Sequence, residues 1–417
     1  MKAFIKYIYT GSLGLFSLAL ISQNTLKPGT WRGVLTLSEK KNEIILPFNF
    51  NLSFVKGKPV IDVLNADEKI RVTEINSKGD SVTIHMPVFD SEFKTILKQD
   101  TLSGVWINHS KKEKNIIPFE AYYNDKVRFV SDQNATADFT GRYEVTFNAK
   151  KEDEYKAIGV FKQQGNRVTG TFLTETGDYR YLEGIAQNGN MAVSCFDGAH
   201  AFLFFASSAK SKGKADSLNG KFFAGISGTE DWFAVRSDSF QLKDPESITY
   251  LKSTDEKITF SFQNLSKQTV SLSDPKFAGK PVIIQVMGSW CPNCMDETAY
   301  LAQLYKQYKG KGLEIVALAY ERTPDFEKAK NNVLRLKNKY GADYEFLITG
   351  LTGAAKASES LPFLNRISAF PTTIILDRKH QVKSIYTGFS GPATGKAYEQ
   401  YKQKMESLVQ ELLLKKN

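Results

Sequence analysis

Two patterns of hydrophobic and polar positions divide the chain. From about residue 23 to residue 242, short runs rich in Val, Ile, Phe, Tyr and Thr alternate apolar with polar positions and are broken by Gly, Asn, Asp and Lys. Alternation of period two without a sustained helical period predicts an all-β region, an antiparallel barrel or sandwich. The region also echoes itself. Gly29-Thr30-Trp31 is answered by Gly141-Arg142-Tyr143, Phe54 by Phe161, Phe89-Asp90 by Phe196-Asp197, Asp100-Thr101-Leu102 by Asp216-Ser217-Leu218, and Phe119 by Phe233, always in the same order. This order predicts two similar units, residues 23–130 and 131–242, the alternative being generic β composition with shared glycine and aromatic punctuation.

Residues 243–254, polar and proline-containing, read as a linker into a different kind of sequence, residues 255–417. Pro281-Val282-Ile283-Ile284-Gln285-Val286-Met287 is nearly continuously apolar, as in a strand buried on both faces. Leu301, Leu304, Tyr305 and Tyr308 then fall at helical spacing, and the run stops at Gly310. Residues 313–320 read as a second strand, and Thr323 with Pro324 as the N-cap and first position of a second helix whose apolar face is Phe326, Val333, Leu336 and Tyr340. Further strands are expected at 344–348, 372–376 and 384–387, before a closing helix carrying Tyr398, Tyr401, Met405, Leu408, Val409 and Leu412. Strands alternating with helices predict an α/β sheet covered by helices.

Composition sharpens this picture in three places. With 417 residues, 41% hydrophobic and 24% charged, the chain has material for more than one packed core and is not of the disordered class. Its net charge of +10 is spread along the chain, which predicts a basic surface and no nucleic-acid partner. The N-terminus, with Lys2 and Lys6, an apolar stretch over residues 13–21 and the small Ser22, reads as a secretory signal peptide over residues 1–22. That predicts a periplasmic or secreted protein after cleavage; an apolar run lengthened by Tyr7 to Tyr9 would instead leave an uncleaved membrane anchor.

Three cysteines are too few for a disulfide scaffold. Cys195, inside the β region, reads as a small buried hydrophobe. The other two stand in Trp290-Cys291-Pro292-Asn293-Cys294, where the buried strand ends and a helix begins. A thiol in the first helical turn faces unpaired backbone N–H groups and the positive end of the helix dipole, both of which favour thiolate, so Cys291 is expected to be the nucleophile. Cys294, one turn further, is placed to attack a mixed disulfide on Cys291 and is expected to resolve it. An inert structural disulfide is the competing reading. A zinc site needs four ligands, and His85, His109, His200 and His380 are scattered without ligand spacing, so neither metal nor cofactor is expected. Met295 stands where covalent haem attachment would need His.

The strand, the Trp-Cys-Pro-Xaa-Cys start of a helix and the later Ala369-Phe370-Pro371-Thr372-Thr373 together resemble the thioredoxin fold, and in detail the TlpA/ResA-type thiol-disulfide oxidoreductases, over residues 255–417. The resemblance implies a disulfide reductase acting on oxidised envelope proteins through a mixed disulfide and recharged by a membrane-embedded thiol donor, the alternative being a thiol oxidase that introduces disulfides. It implies that Pro371 is a cis proline beside the cysteines, that Trp290, Pro292 and Phe370 border the substrate, and that Gly388 follows the last strand. It also sets Gln285 where thioredoxin has a buried aspartate, a position at which glutamine cannot titrate, and Glu321 where a carboxylate would accept the proton of Cys294; a solvated strand-end glutamate is the alternative. A function of another class remains for the β region, a binding module presenting Trp31, Trp106 or Trp232, although aromatics in β runs are more often core.

Overall fold

The computed structural model describes residues 25–38, 44–131, 133–210, 212–253 and 256–415. The expected signal peptide at residues 1–22 lies outside them. Among the described residues no helix is long and apolar enough to cross a membrane.

The N-terminal region is all-β, and both of its sheets curl into barrels. The first runs as a nine-stranded antiparallel meander from Gly29–Ser38 to Ile116–Tyr123. Its first strand pairs with its last, Trp31 opposite Tyr123, and its two edges, Glu68–Val72 and Glu74–Lys78, adjoin in the chain at Thr73. The second runs from Gly141–Phe147 to Gly228–Arg236 and closes completely, because those two strands pair and Tyr155–Gln164 pairs with Arg167–Thr174. Closure leaves the ring of ladders without an open edge. Period-two alternation sends one face of every strand inward: Trp31, Phe48, Trp106 and Phe119 fill the first barrel, and Tyr143, Phe147, Phe172, Phe204 and Trp232 the second. Trp31, Trp106 and Trp232 are 0%, 2% and 3% exposed, so none of them presents a binding surface.

The barrels share a seam. Phe196 of the second stacks on Phe48 of the first at 4.6 Å, and the Asn65 side-chain amide donates to its carbonyl at 2.8 Å. Arg128, buried between them, donates to the Leu64 carbonyl at 2.9 Å and to the Ser194 hydroxyl at 3.0 Å. A buried guanidinium is tolerated there because its donors find acceptors.

Residues 243–253, the described part of the expected linker, are docked rather than loose. Pro245–Ser247 forms a short 3-10 turn, Glu246 accepts from Ser384 at 2.6 Å and from Lys404 at 2.7 Å, and the buried Thr249 hydroxyl meets that of Thr387 at 2.8 Å. Polar composition marks this segment as a connection, but its polar groups are what the following sheet binds.

The C-terminal sheet has seven strands in the order Thr269–Ser271, Ser261–Asn264, Glu345–Ile348, Glu314–Ala319, Val282–Met287, Thr372–Leu376, Val382–Thr387. Glu314–Ala319 is parallel to both neighbours, whereas Thr372–Leu376 runs antiparallel to the central Val282–Met287. Every residue of Val282–Met287 is buried, Ile283 and Met287 in the core under one face and Val282, Ile284 and Val286 in the core under the other. Helices α1 (Pro292–Tyr308), α2 (Phe326–Tyr340) and α4 (Lys396–Leu414) cover the first face, and α3 (Gly353–Ser360) contributes Ala357 to the second. The start of α2 differs from expectation. Its N-cap is Asp325, which accepts from the Lys328 N–H at 2.7 Å, while the Thr323 hydroxyl accepts from the Asp325 N–H at 3.2 Å. The carboxylate therefore satisfies the first turn and the threonine shapes the approach to it. The hairpin of Ser261–Asn264 with Thr269–Ser271 and the short α3 were not anticipated; each is brief and carries too few apolar positions to show a period.

Candidate active site

The buried strand Val282–Met287 delivers the chain to Gly288-Ser289-Trp290 at its C-terminal end, and α1 starts there with Cys291 as N-cap and Pro292 in its first turn. Proline suits this position because its missing N–H would have no partner. The Cys291 sulfur accepts from the Cys294 N–H at 3.4 Å, and its thiol is within 3.4 Å of the Phe370 carbonyl, to which it donates. Both cysteines are free thiols. Cys291 keeps 8% of its surface, whereas Cys294 is fully buried. Burial, then the hydrogen bond with Cys291, push the Cys294 thiol well above its ordinary range.

Trp290 borders the pair. Its indole N–H donates to the Tyr320 carbonyl at 3.0 Å, its ring meets Phe370 edge-on at 5.6 Å, and the Arg322 guanidinium lies 4.1 Å above its face. The Phe370–Pro371 bond is cis, and the Pro371 carbonyl accepts from the Gly388 N–H at 2.8 Å. Cys291, Trp290, Pro292, Phe370 and Pro371 thus meet at one end of the sheet.

Two buried carboxylates stand near the pair. Glu321 is buried, and its two oxygens accept from the backbone N–H and hydroxyl of Ser289, each at 2.7 Å, which braces the turn before Trp290. Glu297, one helical turn beyond Cys294 and fully buried, is the carboxylate whose charge bears on the Cys294 thiol. Its Oε1 accepts from Thr373 at 2.6 Å and Tyr401 at 3.0 Å, and its Oε2 from Gln285 at 2.9 Å. A carboxylate has about four lone-pair directions, so three hydrogen bonds leave one on Oε2 to take a proton. Burial pushes the group up to about 7, against the lowering effect of those hydrogen bonds. Gln285 therefore orients a carboxylate that stands on the adjacent helix. Sequence reasoning missed Glu297; the available signal was its spacing of three from Cys294, which sets it on the same helix face.

The second barrel closes one side of this site. Its turn at residues 174–178 packs on the glycine after Pro371's partner strand: a side chain at Gly388 (φ +77°) would come within 2.7 Å of the Thr176 backbone, and one at Gly177 (φ +152°) would collide with Asn293, inside the Cys-Pro-Asn-Cys turn. Both positions require glycine on backbone grounds as well as for space. Asp178 accepts from the Gly391 N–H at 2.5 Å. Arg180, 2% exposed, joins three bodies: it pairs with Asp296 of α1 at 2.6 Å, with Glu68 of the first barrel, and with Asp197 of the second at 3.5 Å. Three surrounding carboxylates outweigh the cost of burial and hold its guanidinium charged. Cys195, also fully buried, has its thiol pushed well up by desolvation, which leaves it unreactive packing.

Residues 252–401 match the Redoxin family model. The C-terminal part of the chain is a Redoxin domain. Over 129 residues, 31% of this chain, the sequence is 29% identical to the thiol-disulfide oxidoreductase ResA of Geobacillus kaustophilus and 27% identical to that of Bacillus subtilis. The matches span 66% and 64% of those relatives, just under two thirds of their length. The thioredoxin-like protein YneN of Bacillus subtilis is 29% identical over 129 residues and 68% of its own length. Among solved structures, a putative thiol:disulfide interchange protein DsbE from Chlorobium tepidum aligns with 38% of this chain and 99% of its own, at 21% identity and a TM-score of 0.29. Each of these curated matches covers about a third of the chain, a share similar to that of the Redoxin match.

Proposed function

We propose that the protein is an extracytoplasmic thiol-disulfide oxidoreductase, working as a disulfide reductase on envelope proteins through Cys291 and Cys294. The observation that carries this reading is Cys291 as N-cap of α1, its sulfur accepting the Cys294 N–H at 3.4 Å. The orphan N–H groups of the first turn stabilise negative charge on that sulfur. The Cys291 thiolate attacks one sulfur of a client disulfide, forming a mixed disulfide and releasing the other sulfur as thiolate. Cys294 gives its proton to Glu297 and attacks the Cys291 sulfur, which forms the Cys291–Cys294 disulfide and releases the second client thiolate. Two electrons pass from the pair to the client, and the released thiolates take up protons from Glu297 and water.

The reductase direction is what the resemblance to TlpA/ResA-type proteins implies; strong oxidants of this fold instead stabilise their reduced, thiolate form. Burial, then the hydrogen bond with Cys291, keep Cys294 in the thiol form. Recharging an oxidised pair outside the cytoplasm requires an external dithiol, for which a membrane-embedded thiol donor is the expected partner. The extracytoplasmic assignment rests on the signal-peptide pattern of residues 1–22.

The test is a single turnover. Pre-reduced protein mixed with an oxidised protein substrate is expected to lose two thiols per chain and to yield two on the substrate. Loss of this reaction in Cys291→Ser is required, and transfer that persists without Cys291 would end the reading.

A further inference from the structure

The reduced pair does not lie on an open face. On one side of Trp290, loops of the first barrel approach, with Arg322 donating to Ser110 at 3.2 Å and Lys328 pairing with Asp90 at 3.5 Å. On the other, the mouth of the second barrel and the Trp290-Cys291-Pro292-Asn293 turn enclose a cleft of about 740 Å³. Cys291, at 8% exposure, is reached from that cleft. The volume is in the range of roughly 300–1,000 Å³ typical of binding sites.

The far wall belongs to the barrel. Tyr155 and Tyr179 join their hydroxyls at 2.7 Å, and Tyr155 also donates to Glu230 at 2.7 Å, which fixes both rings at the mouth. Phe202 lies beside them with His200 stacked on it at 4.4 Å. At the rim, Glu175 and Lys243 approach to 3.6 Å, and the hydroxyls of Thr174 and Thr176 stand nearby. Rigid aromatic faces with donors and acceptors of both kinds suit a polypeptide, whose amides need partners along their length and whose side chains need apolar contact. Acids and bases both line the cleft, so it has no bias toward a strongly charged ligand.

We propose that this cleft is the substrate site, and that it takes an extended, unfolded polypeptide segment carrying a disulfide rather than a disulfide on the surface of a folded protein. The proposal rests on the reductase reading and names its substrate class. A disulfide on a convex folded surface meets the barrel turn at residues 174–178 and the first barrel's loops before its sulfur reaches Cys291. An extended chain, which needs only about the 4.8 Å spacing of one strand beside another, enters between them. The Tyr155, Tyr179 and Phe202 wall then holds the residues beside the reacting cysteine, and the second barrel acts as the specificity element. The transfer is the one already described: the segment's disulfide is reduced, and Cys291–Cys294 is oxidised.

The experiment uses the full chain, pre-reduced and in single turnover, with three oxidants: a linear synthetic peptide closed by one internal disulfide with an aromatic residue beside it, a folded protein with one surface disulfide, and hydroxyethyl disulfide. The peptide is expected to react at least about tenfold faster than the folded protein. Glu175→Trp, which crowds the rim, and Phe202→Ala, which removes part of the wall, are each expected to lower the ratio of peptide to hydroxyethyl disulfide rate constants about tenfold. Glu175 is on the solvent side of the rim, so that variant keeps the test decisive should Phe202→Ala fail to fold. A folded substrate reduced as fast as the peptide, or a ratio untouched by Glu175→Trp, overturns the proposal. No reaction with any of the three oxidants overturns the reductase reading itself, and this proposal with it.

Discussion

Replacing Glu297 by glutamine isolates the proton step. The side chain keeps its size and much of its hydrogen bonding to Thr373, Tyr401 and Gln285, but it loses the capacity to take a proton. Two magnitudes follow. Burial raises this carboxyl from the ordinary 4.5 to about 7, which at about 1.4 kcal/mol per tenfold change in proton affinity is on the order of 3 kcal/mol. Between those values the folded chain keeps a proton that the unfolded chain has released. Stability contributed by the protonated group is therefore fully present below about pH 4.5 and is lost as pH rises through about 7. Glu297→Gln should flatten that fall in a series of urea titrations across the range. The kinetic effect is separate: a positioned general base contributes roughly 10²–10⁴ in rate. With a client disulfide in single turnover, quenched with acid and followed by mass spectrometry, the variant should form the mixed disulfide on Cys291 and resolve it about a hundredfold more slowly. The wild-type resolution rate should show an inflection near pH 7 that the variant lacks. Resolution at the wild-type rate with the inflection retained would refute the assignment and return the role to another acid, Glu321 first.

The remaining predictions concern the pair and its supports. Cys294→Ser should stall at a stable mixed disulfide visible as a mass adduct on Cys291, whereas Cys291→Ser should form none; an adduct on Cys294 instead would reverse the two roles. Arg180→Met leaves Asp296, Glu68 and the buried Asp197 without their shared counter-charge, and should cost about 3–5 kcal/mol in chemical denaturation; an unchanged midpoint would mean the network is dispensable. Gly388→Ala combines a positive φ with a Cβ 2.7 Å from the Thr176 backbone. It should destabilise by about 1 kcal/mol or more and raise protease cutting in the barrel turn at residues 174–178; unaltered cutting would show that the barrel does not depend on this contact.

What the sequence disclosed, and what it withheld, divides along the range of the interactions. Val282–Met287 announces a buried strand by its unbroken apolar run, and Cys291 by its position at the start of a helix, because both signals are local. The all-β region is legible for the same reason, from alternation. Glu297 was hidden because a glutamate three residues after Cys294 looks like any polar residue of an amphipathic helix. Only the packing of Thr373 and Tyr401, from a strand and a helix far along the chain, marks it as buried. Arg180 was equally silent, since its partners come from the first barrel, the second barrel and α1. The N-cap at Asp325 shows a smaller failure: Thr323 and Asp325, two residues apart and both able to cap a helix, compete, and the choice depends on which side chain reaches the first-turn N–H groups.

The proposed chemistry depends on Cys291 and Cys294 forming a reversible, reducing dithiol. The most direct measurement is the reduction potential of that pair, from thiol content after equilibration of the protein lacking residues 1–22 against glutathione or dithiothreitol redox buffers. One two-electron couple is expected, near the thioredoxin value of about −270 mV. A couple near about −120 mV would make the protein an introducer of disulfides, and the absence of any reversible couple would make the pair structural.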